Sequence, residues 1–301
     1  MQGAENECLL RIFPSPAEHV PLQGLYLTER YGPPPGGSRS FVYANFIASL
    51  DGRISLPNPS FGRLEVPTAV ANPRDFRLFQ ELAAGADVLV TSGRYVRALP
   101  RGVSTRSFPL SPKPEYADLH RRRRSRGLAP QPAVAIVTAS LELPSLDGLA
   151  ASGRPIYVAT GRAASPQKAA RVESEGARVL RAGEGERVEG GKLVEALERE
   201  GHRNIAMIGG GEILRALLVD DALDRLYLTL ACRILGGTVF DTLLTGPVLA
   251  PAPRLEVNAL HYDAGSTSAA GAEQLFAIFD VQRRRNAPRE KGRPPERAGD
   301  L

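Results

Sequence analysis

The stretch Asn204 to Leu230, NIAMIGGGEILRALLVDDALDRLYLTL, constrains the fold more than any other part of the chain. It opens with a short apolar run, Ile205 to Ile208, that reads as a buried strand, and three glycines follow, Gly209, Gly210 and Gly211. Ile213, Leu214, Leu217 and Leu218 then share one face of a helix, and Leu223 to Ala231 reads as a second strand. Strand, glycine turn, helix, strand is a βαβ-type unit, so the turn joins the carboxyl end of a strand to the amino end of a helix. Free N–H groups and the helix dipole favour an anion at such a place. Glycine lets a ligand approach the backbone closely and tolerates positive φ. A bare tight turn would use the same glycines. Glu212 adds a carboxylate in the first helical turn, which suits the dipole but would repel a phosphate unless it points aside.

The rest of the chain repeats this alternation. FVYANFIASL (Phe41 to Leu50) is β-branched and aromatic, and Asp51-Gly52 ends it as a tight-turn dipeptide. Asn72-Pro73-Arg74-Asp75 reads as a helix start, with Asn72 as N-cap, Pro73 at the first helical position and Asp75 closing a capping-box-like pair. Gly85 stops that helix. Asp87 to Thr91, Ala133 to Thr138 and Pro155 to Thr160 are continuous apolar runs, typical of interior parallel strands. Further helices are expected over Pro166 to Glu175 and Gly191 to Gly201, with a short strand at Arg178 to Leu180. Two late strands, Arg254 to Tyr262 and Gln274 to Val281, lack an intervening helix, and the second is placed to close an edge by antiparallel pairing. The expected class is α/β, with a mostly parallel central sheet, an antiparallel edge and helices on both faces. One domain is expected over residues 41–282, preceded by an extension over 1–40 that packs on it and followed by a disordered basic tail over 283–301. Residues 99–131, with five prolines, read as a long surface loop.

Composition narrows the function. No apolar run approaches the roughly 20 residues that a membrane helix needs, and no signal peptide or membrane partner is expected. The only cysteines, Cys8 and Cys232, exclude a disulfide scaffold and fit a reducing cytosol, so a cytoplasmic location is expected. The net charge of +5 is concentrated in Arg121 to Arg126 and Gln282 to Lys291. Such runs can bind nucleic acid but are usually solvated, and nucleic acid is not the expected partner. HExxH, CxxC, GxSxG and Walker patterns are absent and the four histidines are scattered, so no metal is expected.

Four strand ends carry ligand-suited turns: Asp51-Gly52, Thr91-Ser92-Gly93-Arg94, Thr160-Gly161-Arg162 and Gly209-Gly210-Gly211. Ligands of open α/β sheets bind beyond the carboxyl ends of the strands, and four such turns suit a dinucleotide. Thr160-Gly161-Arg162 lacks the acid that an NAD ribose would want, whereas its hydroxyl and guanidinium could hold a 2′-phosphate.

ANFIASLDGRIS (Ala44–Ser55), FRLFQELAAGADVLVTSG (Phe76–Gly93) and MIGGGEILRALLVDDALDRLYLTLACRILGG (Met207–Gly237) resemble the reductase domain of riboflavin biosynthesis, the C-terminal half of bifunctional deaminase–reductases. The resemblance spans roughly residues 41–281 and implies a dihydrofolate-reductase-like fold, NADPH as cofactor and commonly a homodimer. It implies as substrate the phosphorylated pyrimidine 5-amino-6-(5-phosphoribosylamino)uracil, whose ribosyl group becomes a ribityl chain. By matching position, Gly209, Gly210, Gly211 and Glu212 would border the pyrophosphate, beside Ser92 and Gly93. Thr160 and Arg162 would lie near the adenosine ribose and its phosphate, and Leu235, Gly236 and Gly237 would line the nicotinamide side. Asn45, Ser49, Leu50, Asp51 and Arg94 fall on the substrate side. Asp51 is the general-acid candidate, because reducing an imine-like carbon takes a proton as well as a hydride.

One segment departs from the pattern. The family follows its second strand with a GTVLADDPxLTVR-like segment, and here that place reads SGRYVRALPRGVSTRS, with Arg94, Arg97, Arg101 and Arg106 but no Asp-Asp-Pro. Two alternatives therefore stand beside the leading expectation. One is an NADPH-dependent reductase of the same fold that acts on another heterocycle, such as a pterin. The other is a non-enzymatic regulator that binds nucleotide or nucleic acid through its arginines. No deaminase half accompanies the reductase pattern, so that step is expected on another chain.

Overall fold

The structure is a computed structural model of the chain, and it describes residues 8–28, 30, 39–60, 62–98, 108–150, 152–265 and 273–283. The strands among them are β1 (Cys8–Phe13), β2 (Glu18–Pro21), β3 (Phe41–Ser49), β4 (Arg53–Asn58), β5 (Arg63–Glu65), β6 (Val88–Ser92) and β7 (Ala133–Val137). They continue with β8 (Ile156–Thr160), β9 (Arg178–Arg181), β10 (Asn204–Met207), β11 (Arg225–Ala231), β12 (Asp241–Thr242), β13 (Arg254–Asp263) and β14 (Gln274–Gln282). The α-helices are α1 (Pro73–Gly85), α2 (Gly93–Ala98), α3 (Ala117–Ser125), α4 (Asp147–Ala150), α5 (Pro166–Ser174), α6 (Gly190–Arg199) and α7 (Gly211–Val219).

Eleven strands form one sheet in the order β2-β1-β13-β14-β11-β3-β10-β6-β7-β8-β9, and β12-β4-β5 form a small second sheet. From β11 to β9 every pairing is parallel. From β11 back to β2 every pairing is antiparallel. The parallel strands β6, β7 and β8 are buried along nearly their whole length because helices cover both faces. Leu193 and Leu197 of α6 and Leu214 and Leu217 of α7 pack on one face. Leu78 and Leu82 of α1 cover the other face, where Val96 of α2 and Val172 of α5 join a neighbouring cluster. Each such leucine contributes about 1.5–3 kcal/mol on burial.

The α/β architecture agrees with the sequence expectation, with three local differences. β14 does not close an edge: it pairs with β11 on one side and β13 on the other. The edge belongs instead to the amino-terminal extension, whose β1 docks on β13 and carries β2 outside it. The arginine run is not a loop but helix α3, seated by Tyr116 and Leu119 in a small cluster with Ala83, Ala84 and Leu110. Arg123 is buried there and donates to the carbonyls of Ala84, Ala86 and Ala129, which finishes the carboxyl end of α1. The segment 32–37, the tail beyond residue 283, and Arg101 and Arg106 lie outside the described residues.

Candidate active site

Parallel strands put their carboxyl ends on one edge of the sheet. Beyond β6 the chain proceeds to β7, and beyond β10 it crosses to β11 on the other side. Neighbouring strand ends whose connections diverge in this way open a crevice. The turn after β10 carries Gly209–Gly211, and the turn after β6 carries Ser92 and Gly93. Ser92 caps the short helix α2 by accepting from the Tyr95 N–H at 3.1 Å. The two turns adjoin, since a Cβ at Gly210 would lie 3.3 Å from Arg94 Nη2.

The three glycines are needed for close approach rather than for positive φ. Gly210, the N-cap of α7, is extended at φ −78 and ψ 177. A Cβ at Gly211 would fall 3.0 Å from the Leu243 carbonyl and 3.2 Å from that of Thr242, and one at Gly209 2.5 Å from Ile213 Cδ1. Among the described residues the N–H groups of Gly209, Gly210, Gly211 and Glu212 meet no acceptor. Glu212 turns outward toward Arg187, 3.5 Å away, with both side chains largely exposed, so its charge is directed off the turn. A helix amino end with four open donors and no side chain over them fits an anionic group such as a pyrophosphate.

Across the crevice the β3–β4 turn is tied to the segment after β11. Asp51 accepts from Ser49 Oγ at 2.5 Å and from the N–H groups of Gly236 at 2.8 Å and Leu235 at 3.2 Å. Its Oδ2 also lies 3.4 Å from Arg53 Nη1. The Ser49 hydroxyl and the Gly236 N–H hold the carboxyl down at about 2. Asp51 is therefore ionised and saturated with donors, which is the arrangement of an anchor. The expected general-acid role has no support in this geometry, because a proton donor must hold a proton at working pH. Gly236 and Gly237 take φ 66 and 94, a left-handed bend at the point where the Leu235 and Gly236 amides meet the carboxylate.

The network continues through residues that the sequence did not single out. Arg53 donates to the Asp51 and Gly236 carbonyls and stacks 4.3 Å over the Phe240 ring. Asp241 accepts from Ser55 Oγ at 2.6 Å and pairs with Arg94 at 2.7 Å. Asp51, Gly236, Arg53, Phe240, Asp241 and Arg94 thus form a continuous rim that returns to Gly210. Arg53 immediately follows the Asp-Gly turn and Phe240-Asp241 follow the Gly-Gly pair, but only the pairing of β12 with β4 joins them. Leu50 is exposed beside this rim, its N–H on the Arg233 carbonyl. Asn45 is half-buried deeper in β3, opposite Tyr227. Arg97 is turned away onto the Glu142 carbonyl.

Thr160 and Arg162 stand apart from that rim, two strands beyond β6, a separation of about 10 Å. The amides of Gly161, Arg162 and Ala163 donate to the carbonyls of Glu186, Gly183 and Gly185, so this turn offers no open backbone donors. The Thr160 hydroxyl is fully buried. Arg162 is exposed and 3.2 Å from Glu184, which leaves its guanidinium as the group there able to reach a ligand. Among the described residues no cluster of His, Cys, Asp or Glu could hold a metal ion.

Comparison with known proteins places these features in context. A family profile described as the RibD C-terminal domain matches residues 40–262. The 2,5-diamino-6-ribosylamino-4(3H)-pyrimidinone 5′-phosphate reductase of Archaeoglobus fulgidus is 27% identical over 218 residues, covering 72% of this chain and 92% of that protein. Among solved structures, a pyrimidine reductase-like protein from Corynebacterium diphtheriae superposes with a TM-score of 0.59 at 20% identity, covering 81% of this chain and 93% of that one. The riboflavin biosynthesis reductase Rib7 of Saccharomyces cerevisiae gives 0.55 at 15% identity, covering 86% of this chain and all of the other. These likenesses establish the dihydrofolate-reductase-like fold.

Proposed function

The chain belongs to the RibD C-terminal domain family, and we propose that it is an NADPH-dependent reductase of a phosphorylated ribosylaminopyrimidine. The reaction would convert the ribosyl group to a ribityl chain, as the sequence resemblance implies. The observation that carries the reading is the set of four open N–H groups at Gly209–Glu212, set against Arg94 at the strand-end crevice. A nicotinamide dinucleotide bound there would supply the hydride. Gly209–Gly211 would hold its pyrophosphate, with Ser92 and Gly93 alongside. The segment Leu235–Gly237, fixed by Asp51, would flank the nicotinamide. Arg162 is the residue on which a preference for NADPH over NADH would depend.

Asn45, Ser49, Leu50 and Arg94 remain the proposed substrate contacts, and Asp51 is reassigned to positioning. Arg94 is 57% exposed in its pair with Asp241, and an exposed pair of this kind exchanges readily for a phosphate. The decisive experiment is NADPH oxidation with 5-amino-6-(5-phosphoribosylamino)uracil and with its 2,5-diaminopyrimidinone counterpart, the substrate in the name of the archaeal relative. Turnover of either supports the reading, and turnover of neither overturns it.

The altered segment after Gly93 favours one second reading, an NADPH reductase of another heterocycle, and a pterin in the same assay tests it. The nucleic-acid reading is weakened because Arg123 is buried and Arg122 donates to the Leu27 carbonyl. A homodimer is part of the proposal. β13 presents Leu255 and Val257, both more than 40% exposed, opposite Val281 and Phe279 of β14. An apolar sheet face of this kind suits a second copy of the chain. No helix among the described residues is long and apolar enough to cross a membrane, and we place the protein in the cytoplasm.

A further inference from the structure

The family profile begins at residue 40, so the hairpin of β1 and β2 and the turn after it lie outside the matched region. β2 ends at Pro21, opposite Cys8, and Gly24, at φ 86, bends the chain into a short 3-10 turn over Leu25–Leu27. Glu81 of α1 fixes that turn, accepting from the Gly24 N–H at 2.5 Å and the Tyr26 N–H at 3.0 Å. Leu9 of β1 clusters with Leu25 and Tyr26 beneath it. Arg11 shares the Leu9 face of the strand, because side chains alternate, and stands one step farther along.

Between the hairpin and the turn lies a cavity of about 300 Å³, enough for a small molecule. Val20, Pro21 and Leu25 give it apolar walls, and Arg11 and Arg30 bring two guanidinium groups to it. Among the described residues no acidic side chain lines it. Its uncharged polar side chains are engaged elsewhere: Thr28 donates to the Leu25 carbonyl at 2.9 Å and Gln23 to Asp118 at 3.3 Å. Five strand spacings, about 24 Å, separate β1 from β10, so the cavity is distinct from the strand-end crevice.

Arg11 is held in place with donor capacity left over. Its side chain is 12% exposed, with Nη1 2.5 Å from Glu18 and Nη2 donating to the Pro16 carbonyl at 3.3 Å. The buried Nε–H finds no acceptor among the described residues. Glu18 is 51% exposed, and a pairing with so exposed a partner is one that another anion can take over at little cost. His261 of β13 stands opposite Arg11 and is fully buried. Burial does most to lower its pKa to about 4, and Arg11 and Arg30 push in the same direction, so both guanidinium groups bear on one place.

We propose that this cavity is a second ligand site, for a small carboxylate carried on an apolar body. A carboxylate is the group that Arg11 already holds, and its two oxygens match the planar fork of a guanidinium. The ligand takes the place of Glu18 on Arg11, and Val20, Pro21 and Leu25 enclose its apolar part. The site stands independently of the reductase reading.

Titration calorimetry of the full chain with naphthoate tests this, with naphthamide as the uncharged counterpart and each run repeated at saturating NADPH. Naphthoate should bind once per chain, with or without NADPH, and about tenfold or more tighter than naphthamide. Arg11→Gln and Arg30→Gln, checked for folding by circular dichroism, should each weaken naphthoate about threefold or more and leave naphthamide unchanged. Arg30 is exposed, so its variant decides the matter if Arg11→Gln does not fold. Glu18→Gln should tighten naphthoate, because it removes the competing carboxylate. Arg121→Gln, which deletes the same charge from α3, should bind naphthoate like wild type. Binding that NADPH abolishes belongs to the crevice and overturns the proposal. So do equal affinities for naphthoate and naphthamide, unchanged affinity in the folded arginine variants, or no binding at millimolar naphthoate. A chain that binds naphthoate but not NADPH overturns the functional reading alone.

Discussion

Asp51 of the β3–β4 turn accepts the backbone N–H of Gly236 at 2.8 Å, across 185 positions of sequence. This bond, with that to Leu235, ties the carboxyl ends of β3 and β11 together at the mouth of the crevice. Replacing Asp51 by Asn converts half of an acceptor-only group into a donor that faces two backbone N–H groups. The expected result is a folded protein with NADPH affinity reduced about tenfold or more, since small displacements of positioning segments carry large penalties. Titration calorimetry measures it, and unchanged affinity would remove Asp51 from the positioning machinery.

The same carboxyl predicts an acid-sensitive step. Its folded value of about 2 lies below the ordinary 3.8, so its contribution to stability is complete above the ordinary value and disappears as pH falls through the folded one. Thermal melts between pH 5 and pH 2 should therefore converge for wild type and Asp51→Asn at the acid end.

Gly210 and Gly211 should separate ligand binding from folding. A Cβ at Gly210 meets only the mobile end of Arg94, whereas one at Gly211 meets backbone carbonyls. Gly210→Val is expected to melt within a few degrees of wild type, about 1 kcal/mol or less, yet lose NADPH binding. Gly211→Val is expected to cost about 1–3 kcal/mol. Chemical denaturation and NADPH titration of both variants check this, and normal NADPH affinity in Gly210→Val would displace the cofactor site.

Arg123 should behave as a core residue despite its neighbours. Arg123→Met strands three carbonyls that its guanidinium now serves, at a cost of about 3 kcal/mol in urea denaturation. Arg121→Gln, on the exposed side of the same helix, should stay within about 0.5 kcal/mol.

A charge on the open sheet face should separate two copies of the chain. Val257→Asp is expected to leave the melting profile of the protomer intact and convert a dimer to a monomer in light scattering. A wild-type monomer at micromolar concentration would refute the dimer directly.

Local chemistry made much of this fold legible in the sequence. Asn72-Pro73 marks the start of α1 to the residue because a cap and a fixed φ act on adjacent positions. The runs 88–91, 133–137 and 156–160 announce interior strands because only burial on both faces permits uninterrupted apolar side chains. What stayed illegible depends on partners far along the chain. Asp51 reads as a candidate acid until Leu235 and Gly236 are seen to surround it. Asp75 reads as a cap until Thr229 takes its oxygen, and Arg123 cannot be told from Arg121 without the carbonyls beneath it. β14 alternates weakly, which suggests an edge, yet the strand lies between two others.

The position of β14 also bears on how the chain assembles during synthesis. It is the last strand made among the described residues, and it alone joins the parallel block at β11 to the antiparallel block at β13. β1 and β2, the first of these strands to leave the ribosome, have no partner strand in the main sheet until β13 has formed, although Arg74 of α1 reaches the Cys8 carbonyl of β1 directly. They must wait until Arg254–Asp263 has emerged, after nearly all the other strands. Such long-range closure is slow by nature. The amino-terminal hairpin is therefore the segment that a nascent-chain chaperone would meet longest, and loss of residues 254–263 would remove its partner strand.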